Sequence, residues 1–397
     1  KAHLGLRPLA LSEASREAAR FMLTILSDDD ALLGRVAQLG ARCGLKTTPG
    51  AITPFQGAGS DRLTMGTLAA GPRAGFEKMF EVLAASGVAE EADLARRGDS
   101  AMMEFSAPRD IVCGSVTVRA GSLAASARPL VMGILNVTPD SFSDGGRYAS
   151  AEAAVARGVE MVEQGADILD VGGESTRPGS ARVDAETEIA RVAPVIEALA
   201  SRVKAPISID TTKAVVARRA AAAGATIVND ISGLAMDGEM AGAVADLGLP
   251  VVLNHLRGVP ETMQAFPDYE HIVLEVLLEL AARCRAAKEA GIAASKILVD
   301  PGFGFGKRAG DNYTLLRHLG VFRALGAPIL AGVSRKSFLG AATGRAVADR
   351  AASTIAAEVI AATAGAEILR THQPRETIDA LRVARAAFGH PSDEALP

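Results

Sequence analysis

Asp210, Asn229, Asp300 and Lys336 each lie at or just beyond the end of a short Val/Ile/Leu run, and together supply two carboxylates, an amide and a cation. Carboxylates facing an amidine-like edge accept two parallel hydrogen bonds, and an amide both donates and accepts. The set therefore suits the edge of a flat, nitrogen-rich heterocycle bearing an amino group and a carbonyl. Asn136, Arg370 and His372 form a second set. Arg and a protonated His with an amide donor suit phosphate or pyrophosphate, and Asp140 and Asp144, on the loop after Asn136, bring the hard oxygens that Mg²⁺ prefers. Gly302-Phe303-Gly304-Phe305-Gly306-Lys307 lacks the Walker spacing and its Ser/Thr, so its glycines read as a loop allowing close backbone approach to a ligand. His255, beside Asn254, reads as a packed, hydrogen-bonded residue rather than a base. Neither a Gly-x-Ser-x-Gly elbow nor a His/Cys pair with zinc-ligand spacing occurs, which leaves nucleophilic-serine and zinc chemistry unsupported.

Eight strands must position these groups, and the apolar runs place them at 131–137, 168–172, 206–210, 226–231, 250–255, 296–300, 328–333 and 366–371. Between them lie segments of helical period: Val155, Val159 and Val162 fall on one face, with Glu152, Arg157, Glu160 and Glu163 on the other. Gly165, Gly224, Gly291 and Gly365 stand just before the next run, where helix C-caps want a left-handed residue. Near-continuous apolar strands separated by helices imply parallel strands covered on both faces. Eight units favour closure into a (β/α)8 TIM barrel over a doubly wound sheet, and either fold gathers the polar residues at one face.

Residues 1–125 break this rhythm and read as a smaller α/β domain of unassigned role, followed by a barrel over 129–390. Helices are expected at 12–26, opened by Ser12, and at 30–41, with a third apolar face from Phe76, Met79, Phe80 and Leu83. Met65–Leu68 and Ile111–Val118 look like short strands. Gly57, Gly59 and Gly71-Pro72 mark turns, Asp28-Asp29-Asp30 a solvated helix start, and Ala120–Arg128 a linker. A chain beginning near Ala125 is then expected to fold and keep its activity. Net charge −4 with scattered Arg argues against a nucleic-acid surface. Cys43, Cys113 and Cys284 are far apart and read as reduced thiols of a cytoplasmic protein. No apolar run reaches membrane-span length, the start Lys-Ala-His-Leu has no secretory core, and without an initiator Met the chain reads as trimmed.

The segments Ile134–Gly146 (ILNVTPDSFSDGG), Gly165–Gly179 (GADILDVGGESTRPG), Ser208–Thr211, Val228–Gly233, Asp300–Lys307, Gly332–Phe338 and Leu369–His372 resemble the dihydropteroate synthase family over about residues 129–388. The resemblance implies a TIM-barrel transferase of folate biosynthesis that joins 6-hydroxymethyl-7,8-dihydropterin pyrophosphate to 4-aminobenzoate and releases pyrophosphate. It implies a pterin pocket of Asp210, Asn229, Asp300 and Lys336 with Ile231 on the ring face. Asn136, Arg370 and His372 would form a pyrophosphate site, with Asn136 a Mg²⁺ ligand. Asp140, Phe142, Asp144, Thr176, Arg177 and Pro178 would lie on two mobile loops, and Ser337 would meet the aminobenzoate. Asp210, Asp300, Lys336, Asp140, Asp144 and Arg177 would form the catalytic group of a dissociative reaction in a cytoplasmic homodimer. Two residues depart from the family pattern: Asn254 stands where Met is usual, and Gln373-Pro374 where an acidic residue follows the last histidine. A pterin-binding methyltransferase barrel and a non-catalytic paralogue serving as a partner subunit are the rival readings.

Overall fold

The computed structural model describes residues 3–8, 20–27, 30–43, 45–50, 65–89, 91–96, 109–121, 123, 128–138, 146–175, 182–258, 263 and 268–387. The amino-terminal part holds β1 (His3–Pro8), β2 (Arg20–Ser27), α1 (Asp30–Arg42), β3 (Lys46–Gly50), β4 (Met65–Pro72) and α2 (Arg73–Ala84). Its four strands form an antiparallel sheet in the order β1-β2-β4-β3. Leu32, Leu33 and Val36 of α1, and Met79, Phe80 and Leu83 of α2, are buried, as the helical spacing of the sequence requires.

The helix expected at 12–26 is corrected over its second half, where residues 20–27 are β2, paired with a strand on each side. A continuous apolar run such as Phe21–Leu26 has no helical or strand period to distinguish the two, and the two pairing partners decide it. Gly71 and Pro72 close β4 against the start of α2 instead of standing in a separate turn. Ser12, Gly57 and Gly59 lie outside the described residues.

A hairpin of β5 (Arg109–Cys113) and β6 (Val116–Ala120) precedes the barrel. The barrel strands are β7 (Leu130–Asn136), β8 (Ile168–Gly172), β9 (Ile207–Asp210), β10 (Ile227–Asp230), β11 (Val251–Asn254), β12 (Ile297–Asp300), β13 (Leu330–Ala331) and β14 (Ile368–Thr371). Their helices include α3 (Gly146–Glu163), α4 (Ala185–Ala200), α5 (Ala214–Ala223), α6 (Met240–Leu247), α7 (Ile272–Glu289), α8 (Ala309–Arg317), α9 (Ser337–Thr343), α10 (Ala351–Thr363) and α11 (Pro374–Ala387). All eight strands are parallel, in the order β12-β11-β10-β9-β8-β7-β14-β13, and a parallel bridge between Val299 and Ile329 closes the ring.

Alternation along each strand explains the continuous apolar runs. Val131, Leu169, Ile207, Val228, Val251, Val299 and Leu369 face outward into one core with Val155, Val192, Val216 and Leu280 of the helices. Leu130, Met132, Ile168, Ile227, Val252, Leu298, Leu330 and Ile368 face inward and fill the amino end of the barrel. Ile111, Cys113 and Ala120 of the hairpin complete that inner cluster, so the hairpin plugs the barrel from below. Leu123 is fully buried in the outer core, which gives the stretch expected as a linker a packing role. Each strand is short because the chain must turn out at its carboxyl end. Gly165 (φ 98°) and Gly224 (φ 116°) make two of the returning helix ends in the left-handed conformation that the sequence predicts.

Candidate active site at the carboxyl end of the barrel

One inward step beyond the apolar layer, the same strands deliver polar residues. Asp170, Ser208, Asn229 and Asp300 are buried, and Arg370 is only partly exposed. Gly172 and Gly332 face inward among them: a Cβ on Gly172 would stand 3.5 Å from the Cβ of Asp210, and one on Gly332 would stand 3.6 Å from Oδ2 of Asp300. Side chains there would fill the space above the polar layer. The two glycines thus leave Asp210 and Asp300 without a neighbouring side chain packed on them from β8 and β13.

The polar residues are already linked. Arg370 donates from Nε to Asp170 Oδ2 (2.6 Å) and from Nη2 to Asp210 Oδ2 (2.6 Å), while Asn229 Nδ2 donates to Asp170 Oδ2 (3.0 Å). Asp300 accepts from the Gly302 amide at 2.7 Å. Burial raises Asp210 to about 7 against the pull of Arg370, and burial also raises Asp300 against its Gly302 bond and Lys336. Lys336 falls to about 8, through burial first and repulsion by Arg370 second. Its Nζ lies 3.9 Å from the centroid of the Phe305 ring. Phe305 shares a small apolar cluster with Ile231, Leu256 and Met263, a flat wall beside the charged groups.

Asp170, the hub of this network, stands in the sequence as a polar residue closing an apolar run but carries no site role there. Its signal was its place on the inward register of β8, opposite Ser208. The glycine-rich loop also differs from expectation. Its close approaches are to protein: a Cβ on Gly302 would sit 1.9 Å from the His255 carbonyl oxygen, and one on Gly304 would meet the Lys336 stem at 2.9 Å. Lys307 is buried beneath that loop and donates to the carbonyls of Gly302 (2.9 Å) and Phe305 (3.0 Å), with His255 Nδ1 at 3.0 Å. Burial lowers Lys307 to about 7 and His255 to about 3. His255 is thus a neutral, packed ring that bonds Glu279 through Nε2 at 2.9 Å, as its sequence reading held.

His372 lies at the end of β14 with Nδ1 2.9 Å from Ser334 Oγ, which also accepts from the His372 amide at 3.3 Å. With the hydroxyl proton directed to Nδ1, the ring carries its proton on Nε2. Asn136 ends β7, and its Oδ1 lies 3.9 Å from where a Gly172 Cβ would stand, beside Asp210. Lys336 caps α9, whose first residue is Ser337. Asp140, Phe142, Asp144, Thr176, Arg177 and Pro178 lie outside the described residues. The stems of the second loop are anchored: Arg191 donates to the Gly173 carbonyl at 2.7 Å, and Glu174 pairs with Lys213 and accepts from the Val183 amide at 3.1 Å. Asn254 is buried and donates from Nδ2 to the Ile231 carbonyl at 2.7 Å; Gln373 donates to the Ala351 carbonyl at 3.3 Å. No helix among the described residues is long and apolar enough to cross a membrane.

Residues 132–372 match the model of a family described as pterin binding enzyme. Dihydropteroate synthase of Escherichia coli K12 is 49% identical over 265 residues, which cover 66% of this chain and 93% of that protein. The Bacillus subtilis 168 enzyme of the same name is 41% identical, covering 66% of this chain and 89% of its own length. Among solved structures, Xanthomonas albilineans dihydropteroate synthase with 4-aminobenzoic acid has a TM-score of 0.66 and 47% identity, covering 70% of this chain and 98% of that one. The same enzyme in complex with 7,8-dihydropteroate gives 0.63 and 45%, with the same coverage. Homology covers residues ~130–390 and leaves an amino-terminal region of about 130 residues.

Proposed function

Because the chain belongs to the dihydropteroate synthase family, pterin-binding transferases of folate biosynthesis, we propose that its barrel joins 6-hydroxymethyl-7,8-dihydropterin pyrophosphate to 4-aminobenzoate. The observation that supports the assignment of residues is the inward-facing layer of Asp210, Asn229, Asp300 and Arg370 at one end of the barrel, with Lys336 beside it from the loop after β13. Asp210 and Asn229 take the amino and amide edge of the pterin, Asp300 and Lys336 the opposite edge, and Ile231 packs on the ring. Arg370, His372 through Nε2, and Asn136 take the pyrophosphate. Ser337, at the start of α9 beside Lys336, meets the aminobenzoate. Asp140, Phe142, Asp144, Thr176, Arg177 and Pro178 act from the two loops.

In the reaction the bond between the pterin methylene carbon and the pyrophosphate oxygen breaks, its electron pair leaving with the pyrophosphate. The arylamine nitrogen then bonds to the methylene and loses a proton. Asp210 and Asp300 stabilise the positive charge that spreads into the pterin as the bond breaks, and Arg370 and His372 stabilise the charge growing on the leaving group. The donor set suits Mg²⁺. Asn136 offers a neutral amide oxygen, and Mg²⁺ draws most of its oxygens from phosphate and water, so one protein ligand beside a bound pyrophosphate suffices. When bound with the pyrophosphate, Mg²⁺ would offset its negative charge.

The 98% coverage of the Xanthomonas chain, solved with 4-aminobenzoic acid, supports the second substrate for this chain. Steady-state turnover with both substrates, followed by release of pyrophosphate and formation of dihydropteroate, tests the assignment. Dihydropteroate that forms only when both substrates and Mg²⁺ are present is expected. A protein that binds the pterin yet makes no product would be the non-catalytic paralogue instead.

A further inference from the structure

Arg370 stands between the group read for the pterin and the group read for the pyrophosphate, and its bonds raise a conflict. Arg370 Nη2 holds Asp210 Oδ2 at 2.6 Å, so a pterin edge that takes both carboxylate oxygens of Asp210 must compete with the guanidinium for Oδ2. Arg370 Nη1 has no hydrogen bond among the described residues. Asp170 carries a complementary imbalance. Its Oδ2 accepts from both Arg370 Nε (2.6 Å) and Asn229 Nδ2 (3.0 Å), whereas its Oδ1, inside a fully buried side chain, has no hydrogen-bond partner among the described residues. A buried carboxylate oxygen without a donor is a standing cost to the fold, and it is relieved when a donor arrives.

We propose that Asp170 is a positioning residue on which Arg370 pivots: a pterin that takes both oxygens of Asp210 displaces Nη2, which moves to the free Oδ1 of Asp170 and turns the Nη1 edge toward the pyrophosphate. The inference rests on the substrate reading given above. No charge-assisted bond is lost in the exchange. Arg370 trades Asp210 for the second oxygen of Asp170 and closes a two-bond fork, the geometry that guanidinium and carboxylate prefer. Asp210 trades the guanidinium for the donors of the pterin. The buried Asp170 keeps Arg370 neutralised throughout, so the cation is never left unpaired inside the barrel.

Such a pivot makes the two binding sites cooperative, because occupation of Asp210 prepares Arg370 for the second ligand, and the coupling must be reciprocal. Calorimetric titration of the full chain with inorganic pyrophosphate and Mg²⁺, with and without saturating 6-hydroxymethyl-7,8-dihydropterin, measures it. In the wild type pyrophosphate should bind about fivefold or more tightly when the pterin is present. Asp210→Asn, which loosens the hold on Nη2, should bind pyrophosphate without pterin about as tightly as the wild type does with it. A residue of purely structural importance would not raise affinity when changed. Asp170→Asn should keep the coupling within about twofold of none, its melting curve checking the fold. If Asp170→Asn does not fold, the wild-type and Asp210→Asn titrations still decide. Pyrophosphate affinity that is indifferent to bound pterin in the wild type overturns the pivot and leaves the substrate assignment standing. A wild-type chain that binds no pterin at all overturns the assignment, and the pivot with it.

Discussion

The two ends of the barrel interior are built from the same strands, two residues apart, and could hardly differ more. Ile168 gives way to Asp170, Ile227 to Asn229, Leu298 to Asp300 and Ile368 to Arg370, each a rise of roughly 6.6 Å along its strand. Below, the layer is apolar and sealed by Ile111, Cys113 and Ala120 of the hairpin. Above, Asp170 Oδ1 and Ser208 Oγ remain buried without partners among the described residues, and burial and mutual charge move Asp210, Asp300, Lys336 and Arg370 from their ordinary values. Stability and chemistry are therefore separated by depth within each strand, not assigned to different strands.

Removing the seal should produce the largest effect. A chain beginning at Ala125 loses the hairpin and uncovers an apolar disc formed by Met132, Ile168, Ile227, Val252, Leu298, Leu330 and Ile368. It also deprives Lys296 of the Val112 carbonyl (2.8 Å) and Glu367 of Arg109 (3.5 Å). We place the start of the barrel's folding unit before Arg109 rather than near residue 125. Expression of the two shortened chains and their thermal melts check this: the one starting just before Arg109 should stay soluble with a cooperative melt, and the one starting at Ala125 should aggregate. A soluble, active chain from Ala125 would show that the disc needs no cover.

Paired substitutions separate the layers more finely. Asp210→Asn should lower kcat/KM by roughly 10²–10³-fold with the melting temperature little changed, because a carboxylate aimed at developing charge is lost without a cavity. Leu298→Ala, which empties part of the lower layer, should destabilise the fold by about 2–5 kcal/mol while the protein that remains folded keeps its turnover. Chemical denaturation and steady-state kinetics on both variants give the comparison. Equal loss of turnover in the two would mean that the lower layer controls the reaction geometry directly.

How much of this contrast was legible before the structure follows from its physics. The eight strands were readable because strands buried on both faces leave unbroken apolar runs, and their carboxyl ends were readable because Asn136, Asp210, Asn229, Asp300, Arg370 and His372 interrupt those runs abruptly. Asp170 interrupts its run in the same way and is legible as a polar strand end, but Val171 and Gly172 follow it within the strand and nothing in the sequence says what it holds. Ile111–Val118 reads in sequence as one short strand of the amino-terminal domain, whereas the structure folds it as a hairpin against the barrel, since nothing in a short amphipathic segment says which surface it will cover. The burial of Lys307, named in sequence only as the end of the glycine-rich loop, was illegible for a related reason. A lysine that caps the turn of its own loop from below leaves no periodic trace.

The layers should also answer differently to pH. Asp210 at about 7 is protonated in much of the ligand-free protein at acid pH, and a protonated carboxyl cannot accept two hydrogen bonds from a pterin edge. Pterin affinity should therefore rise with pH, by up to about tenfold per unit below 7, level off, and fall again as Lys336 loses its proton above about 8. The stability contribution of Asp210 has the opposite slope. A folded pKa raised above the ordinary value of 3.8 means the folded chain holds the proton more tightly, so this contribution is complete below that value and lost as pH climbs through about 7. Titrations of pterin at several pH values should show the acid limb in the wild type and its absence in Asp210→Asn. Persistence of the limb in that variant would move the titration to another group, with Asp300 next in line.

The smallest effect should come from Asn254, which belongs to neither layer cleanly. It ends β11 on the inward register, is buried, and donates from Nδ2 to the Ile231 carbonyl at 2.7 Å, while its own carbonyl accepts from Arg283. Asn254 stands where the family usually has Met, and its bond directs the amide to the backbone of Ile231, the residue proposed to pack on the ring. Asn254→Met would return an apolar side chain and leave the Ile231 carbonyl without this donor. Loss of a buried bond costs roughly 1–3 kcal/mol, and the added apolar contact recovers part of that. A net change of about 1 kcal/mol should appear as a KM for the pterin substrate raised about fivefold, with kcat within about twofold, because Asn254 touches no reacting atom. Steady-state kinetics at saturating aminobenzoate measure both. A lower KM would mean that apolar packing outweighs the bond, and a fall in kcat alone would mean that Ile231 helps to orient the methylene for attack rather than merely holding the ring.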